Sequence, residues 1–261
     1  MTRQTFRAGD DTEQHGNHAL GRPLLRLSAV SRAYPGHTPV QALRNATFSI
    51  GSGEVVGIIG RSGSGKSTLL NVLGLLDAPT GGRYEIGGHP VTTLTEQEQT
   101  RLRAQFFGFV FQQSFLLPAL SAQENVELGL LARGVRRAER RVLALDALAR
   151  VGLLNRRRFR PGQMSGGECQ RVAIARAFAG QPRVLLCDEP TGNLDERTTD
   201  EILETLLSRR YADVAVVMVT HDQGIARTLP RLLTVRDGIV HDDAASAEGG
   251  SRQTGCSGGD R

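Results

Sequence analysis

The eight residues Gly60-Arg61-Ser62-Gly63-Ser64-Gly65-Lys66-Ser67 constrain this chain more than any other stretch. They follow an apolar run, Val55 to Ile59, and precede a helical pattern, Thr68 to Leu73. In the pattern G-x-x-x-x-G-K-[ST], glycines adopt backbone conformations closed to other residues, so successive N–H groups turn inward around a polyphosphate at a helix N-terminus. Lys66 then reaches the β- and γ-phosphates, and Ser67 sets its hydroxyl on Mg²⁺ where the helix dipole adds positive potential. A Gly/Ser turn joining a strand to a helix is the plain alternative. The strand before and the helix after, continuing through Thr68, favour the phosphate loop. Lys66 is moreover the only lysine in the chain, every other member of the Lys+Arg total of 32 being arginine. A compact ammonium on a flexible stem fits between phosphates where a planar guanidinium does not.

Carboxylates for the same chemistry stand further along. Val184-Leu185-Leu186-Cys187-Asp188-Glu189 is an apolar strand ending in two acids and Pro190, the place where an α/β sheet presents residues to its ligand crevice. Asp188 can hold the water shell of Mg²⁺, and Glu189 can accept a proton from an attacking water. A solvated strand end is the competing reading. Ala215 to Thr220 repeats the form with His221 at its tip, although an isolated histidine is more often packed or solvated. Met164-Ser165-Gly166-Gly167-Glu168 opens a helix, read as Cys169 to Ala179, with Ser165 as N-cap and glycines leaving N–H groups free at the positive end of the dipole. Beside a phosphate loop, that start is a second anion site without a nucleotide of its own.

Strand patterns run from Leu24 to Val30 and from Ala46 to Ile50, with a Pro35-Gly36 turn between. Tyr34, next to that turn, is as compatible with an ordinary sheet tyrosine as with an adenine platform. Thr80 to Gly88 reads as a hairpin, Glu96 to Ala104 as a helix, and Phe106 to Phe111 as a buried strand that Gln112 ends. Ala122 to Arg133 and Arg137 to Ala149 are helical, and Asp237-Gly238 is a hairpin turn. Residues 1–22 and 243–261 are polar, Gly- and Ser-containing segments expected to be flexible tails. His15 and His18 lack further ligands for a metal.

A chain of 261 residues that is 39% hydrophobic has material for one large α/β domain, or a domain with a subdomain. Cys169, Cys187 and Cys256 are odd in number and form no C-x-x-C, which points to a reducing cytosol. No apolar run approaches the roughly 20 residues of a membrane helix, and the N-terminus lacks the apolar core of a signal peptide. The net charge of +5 invites a nucleic-acid reading, but the arginines are spread along the chain with little aromatic interleaving and no Trp. Nucleic acid is therefore not an expected partner. The cluster Arg156, Arg157, Arg158 and Arg160 reads as a solvated face, with lipid headgroups or a partner as the minor alternative.

From about Pro23 to Asp242 the assembled residues resemble the ATP-binding subunit of an ABC transporter. Tyr34 resembles the A-loop aromatic, Gly60 to Ser67 the Walker A loop, Gln112 the Q-loop glutamine and Ser165-Gly166-Gly167-Glu168 the signature. Val184 to Glu189 resembles the Walker B strand, Gly192-Asn193-Leu194-Asp195 the D-loop, and His221 the switch histidine. Leu73 to Asp77, Asp188 to Asp195 and Glu124-Asn125-Val126 look like the subgroup of macrolide-efflux, lipoprotein-releasing and antimicrobial-peptide exporters. Two positions depart from the family pattern: Met164 stands where Leu is usual and Cys169 where Gln is common.

The resemblance implies a P-loop NTPase fold of the ABC ATPase kind over residues 23–242, with an antiparallel β subdomain and an inserted helical subdomain at about 113–179. It implies two copies sandwiching two ATPs, each held by one copy's loop and the other's signature. Tyr34 would stack on adenine, Gly60, Arg61, Ser62, Gly63, Ser64, Gly65, Lys66, Ser67 and Thr68 would hold the phosphates, and Ser67, Gln112 and Asp188 would hold Mg²⁺. Glu189 would be the general base, with His221 on the γ-phosphate and Asp195 in the D-loop. A separate permease is implied, with this subunit peripheral on the cytoplasmic side of the membrane and export the expected direction. A regulatory ABC ATPase of the cell-division type, driving a membrane partner without transport, has the same motifs. An SMC-like repair ATPase needs a long coiled coil, which this chain lacks.

Overall fold

The computed structural model of the protein describes residues 22–208 and 211–243. Apart from Arg22 and Asp243, the expected tails lie outside the described residues, as do His15, His18 and Cys256. The strands are β1 (Leu25–Tyr34), β2 (Val40–Ile50), β3 (Val55–Ile59), β4 (Gly81–Ile86), β5 (His89–Pro90), β6 (Phe107–Phe111), β7 (Val184–Asp188), β8 (Ala215–Val219), β9 (Arg231–Arg236) and β10 (Ile239–Asp242). The helices are α1 (Lys66–Leu73), α2 (Glu96–Phe106), α3 (Ala122–Ala132), α4 (Arg137–Arg150), α5 (Gly166–Phe178), α6 (Glu196–Leu206) and α7 (Gln223–Thr228).

Among the described residues the strands form one 10-stranded sheet in the order β5-β4-β1-β2-β10-β9-β3-β8-β7-β6. From β9 through β3, β8 and β7 to β6 the pairs are parallel. The pairs β1–β2, β1–β4 and β4–β5 are antiparallel. The two parts meet at β2 and β10, whose paired register is the single position Ile239 opposite Arg44.

Side chains alternate across a strand, and here the alternation divides the interior in two. Val184 and Leu186 of β7, with Val217 and Val219 of β8, enter a core shared with α1 and the antiparallel strands. Their neighbours Leu185, Cys187, Val216 and Met218 enter a second core with α3, α4 and α5. Burial on both faces explains why these strands read as unbroken apolar runs.

Boundaries differ from the sequence expectation in instructive places. α5 starts at Gly166 rather than Cys169, because the Ser165 hydroxyl accepts from Glu168 N and the Glu168 carboxylate from Ser165 N, a capping box that makes the two glycines helical. Phe106 closes α2 rather than opening β6. β1 runs past Val30 to Tyr34 through register shifts, with Ala29 at φ 51°. Among the described residues, no helix is long and apolar enough to cross a membrane.

Candidate active site

The loop between β3 and α1 closes on itself. Gly65, the residue before α1, sits at φ 108°, and a Cβ there would lie 2.4 Å from Ala42 O. A Cβ on Gly60 would lie 2.3 Å from Val235 O, so only glycine permits the backbone of β2 and β9 to come this close. Lys66 Nζ donates to Gly60 O at 3.0 Å and Arg61 O at 2.9 Å, folding the ammonium back over the loop. Lys66 and Ser64 are both buried, and the Ser64 hydroxyl has no hydrogen-bond partner. No side chain caps α1, and no acid stands in its first turn. Its N-terminal N–H groups thus face a cavity of about 470 Å³ with the dipole unopposed.

That cavity is lined by Ser62 to Thr68, by Val40, Gln41, Ala42 and Arg44 of β2, by Asp237 and Gly238, and by Glu189. Glu189, just past the β7 end, therefore borders the same cavity as the β3–α1 loop, while Asp188 does not line it. Asp188 feels the Lys66 charge, yet burial foremost and the adjacent Glu189 hold its carboxyl above the usual carboxylate range. Glu189 sits at φ 47°, a left-handed conformation costly for a residue with a side chain, with its N–H donating to Val219 O at 3.0 Å. His221 Nδ1 stands 3.0 Å from Glu189 Oε1, joining the tips of β7 and β8. Both line a second cavity of about 370 Å³ with Thr191, Gly192, Leu194 and Thr220. Two adjacent carboxylates, with Glu189 and Ser67 lining one cavity, offer oxygen donors of the kind a hard cation takes. Among the described residues no cluster of three or more His, Cys, Asp or Glu is placed to hold a metal ion.

Other expected residues stand apart from this centre. Gln112 lines neither cavity; its Nε2 donates to Asn193 Oδ1 at 3.3 Å, and a Cβ on Gly192 would lie 2.8 Å from it. Tyr34 also lines neither cavity, although it pairs across the strands with Val40, which does. Asp195 caps α6, accepting from Thr198 N at 3.0 Å and Thr198 Oγ1 at 2.8 Å, bonds that hold its carboxyl below the usual range. Ser165 and Gly166 are exposed, and no residue from 165 to 168 lines either cavity. Arg156 Nε reaches Glu168 Oε1 at 3.3 Å while its guanidinium covers Phe159, so part of the arginine cluster serves the helix start. Cys169 donates to Pro161 O at 3.6 Å, and burial, then the Glu168 charge, pushes its thiol up.

Sequence reasoning missed Val40, Gln41, Ala42, Arg44, Asp237 and Gly238 as cavity walls. Asp237-Gly238 was legible as a turn, and only the strand order brings it to the loop, where Gly238 N donates to Ser64 O at 2.9 Å.

A family model described as ABC transporter matches residues 43–192. The macrolide export ATP-binding/permease protein MacB of Burkholderia cenocepacia is 45% identical over 225 residues, covering 86% of this chain and 33% of that protein. The protein of the same name from Chlorobium luteolum is 49% identical over 222 residues, covering 85% and 33%. The chain spans about a third of the length of these curated relatives. A structure described as a dimeric post-hydrolysis state of the ATP-binding cassette MJ0796 bound to ADP and Pi superposes with a TM-score of 0.75 at 40% identity, covering 84% of this chain and 97% of that one. The cbiO1 protein of Clostridium perfringens, described as part of the ABC transporter complex cbiONQ, superposes with a TM-score of 0.76 at 26% identity, covering 87% and 91%. The mixed α/β architecture is thus the P-loop NTPase fold of ABC cassettes. With a phosphate loop closed by its own sheet, a β7 end carrying two acids beside it, and more than half its length inside the family model, this chain belongs to the ABC transporter ATPase family.

Proposed function

We propose that this chain is the ATP-binding and ATP-hydrolysing part of an exporter, powering a membrane permease from the cytoplasmic face through an ATP-sandwich dimer. The observation that carries this reading is Glu189, which borders the phosphate-loop cavity, is held in a left-handed conformation, and has His221 Nδ1 at 3.0 Å. Strain of that kind persists where the surrounding structure over-determines it, and it clusters at active sites.

In this reading Ser62 to Thr68 bind the triphosphate through backbone N–H groups, and Lys66 exchanges its bonds to Gly60 O and Arg61 O for phosphate oxygens. Gly60 and Arg61 shape the loop entry, and Tyr34 stacks on adenine. Ser67, Asp188 and, once released from Asn193 Oδ1, Gln112 are the residues that would hold Mg²⁺, which when bound neutralises charge along the phosphates. Glu189 takes the proton from water, and His221 orients Glu189 and touches the γ-phosphate. The exposed signature start, absent from both cavities, is read as the half-site for a partner copy's nucleotide, with Asp195 at the same junction. The dimeric description of the MJ0796 cassette supports the sandwich, and the printed name of the MacB relatives supports export and a permease. Residues 23–242 are read as the nucleotide-binding domain, with about 113–179 as its helical subdomain packed on the second core.

The test is Glu189→Gln, which keeps shape and removes the proton acceptor. It should slow hydrolysis by roughly 10²-fold or more while the purified chain runs as a dimer with ATP and a monomer without it. Hydrolysis at the normal rate would place the base elsewhere.

A further inference from the structure

Tyr34 is held by a clamp that the phosphate chemistry does not use. Its hydroxyl donates to Asp77 Oδ2 at 2.5 Å. The Arg32 guanidinium lies 4.6 Å from the centre of the same ring and reaches Asp77 through Nε at 3.1 Å and Nη2 at 2.7 Å. Arg32 Nη1 also donates to Ala78 O at 2.9 Å, and the Arg32 and Asp77 side chains are only 20% and 18% exposed. Asp77 in turn donates its N–H to Asn71 O, so it is tied to the helix whose first residue is Lys66.

We infer that Arg32 and Asp77 are positioning residues that lock Tyr34 as a one-faced platform for the nucleotide base at a fixed distance from the phosphate loop. This rests on the nucleotide reading above. A planar cation against one face of an aromatic ring is a favourable arrangement, and Tyr34 stays partly exposed, so the opposite face is the one a second planar group would use. Val40, paired with Tyr34 across the strands, is 62% exposed and lines the phosphate-loop cavity, which sets the platform at that cavity's edge. A ring held at hydroxyl and face has little rotamer freedom left to lose when a base arrives, so affinity is gained by pre-organisation. The positive charge of Arg32 is matched by Asp77 within the clamp. The pair therefore acts on the base and adds little field at the triphosphate.

That separation gives the test: titration calorimetry of the full chain with ATP and, in parallel, with inorganic tripolyphosphate, which has phosphates and no base. Arg32→Gln should weaken ATP about threefold to tenfold and leave tripolyphosphate within about twofold. Asp77→Asn, which frees both partners, should do the same, and Arg32→Lys, which keeps the charge and loses the plane, should fall between. Unchanged ATP affinity in Arg32→Gln and Asp77→Asn would overturn the clamp. So would a parallel loss of both ligands, which marks a structural role, or tighter ATP binding, which marks Arg32 as a competitor of the base. Wild-type chain that binds neither ligand, or Lys66→Ala that binds both normally, would overturn the nucleotide reading itself and is distinct from either outcome.

Discussion

At the start of α1 the backbone is held by three other segments: Ala42 of β2, Val235 of β9 and the Gly238 turn all crowd it, and no side chain caps the helix. At the start of α5 the arrangement is reversed. Ser165 and Glu168 satisfy one another, Arg156 balances the carboxylate, and Ser165 and Gly166 are open to solvent. Both are glycine-rich helix starts, so dipole and sequence alone do not tell them apart. An uncapped start inside a cavity is incomplete until an anion fills it. A capped start on the surface is stable by itself and available to something outside the chain.

The most damaging way to break this contrast is Lys66→Ala. It removes both the cation and the two bonds that fold the loop, and hydrolysis should fall by roughly 10²-fold or more with nucleotide binding severely weakened. Near-normal turnover would refute the loop's role. Ser165→Arg should disable the outward start without disturbing the loop, so the variant should still bind nucleotide as a monomer and fail to dimerise with ATP. Mixed with Lys66→Ala, it should regain ATP-dependent dimerisation, since one site of the heterodimer then pairs an intact loop with an intact signature. Sedimentation that never exceeds that of either variant alone would contradict the two-copy site.

A smaller effect sharpens the inward half. The native state holds the Asp188 proton more tightly than the unfolded chain does, so ionisation costs native stability as pH rises from the ordinary carboxylate range to the raised value. Asp188→Asn should therefore raise the Tm of nucleotide-free protein modestly near neutral pH, and the gain should vanish in acid where wild type is also neutral. A gain that persists in acid would point to packing rather than charge. Smallest is the loss of a cap remote from both starts. The Ser121 hydroxyl and N–H engage Glu124, holding that carboxyl below its usual range. Ser121→Ala should cost about 1 kcal/mol, or about 2–4 °C in Tm for a chain of this size, with turnover unchanged.

The parallel half of the sheet was legible because β3, β7 and β8 bury both faces and leave continuous apolar runs between polar ends. The antiparallel half was less so. Positive φ at Ala29 and Asn45 and the register shifts of β1 break the alternation that marks a strand, which hid residues 31–34 and left Tyr34 undecided. Capping boxes at Thr95 and Glu98, Ser121 and Glu124, and Ser165 and Glu168 share one spacing, and reading it would have fixed the start of α5. Pairings such as Glu189 with His221, Gln112 with Asn193 and Arg32 with Asp77 join residues far apart in sequence, so no local pattern announces them.

The sheet's two parts meet at the single register position Ile239 opposite Arg44, where Arg44 N donates to Gly238 O at 2.7 Å. That seam is also a wall of the cavity, since Ala42, Arg44 and Gly238 line it beside the loop. Whatever fills the cavity bridges the seam and acts as a rivet between halves that already share a core. The amides of β2 and β10 beside the joint should then exchange with solvent early in the free chain and slow the most on loading, while those of β7 and β8, buried on both faces, scarcely change. Ligand occupancy in this molecule would be written as mechanical continuity across a sheet.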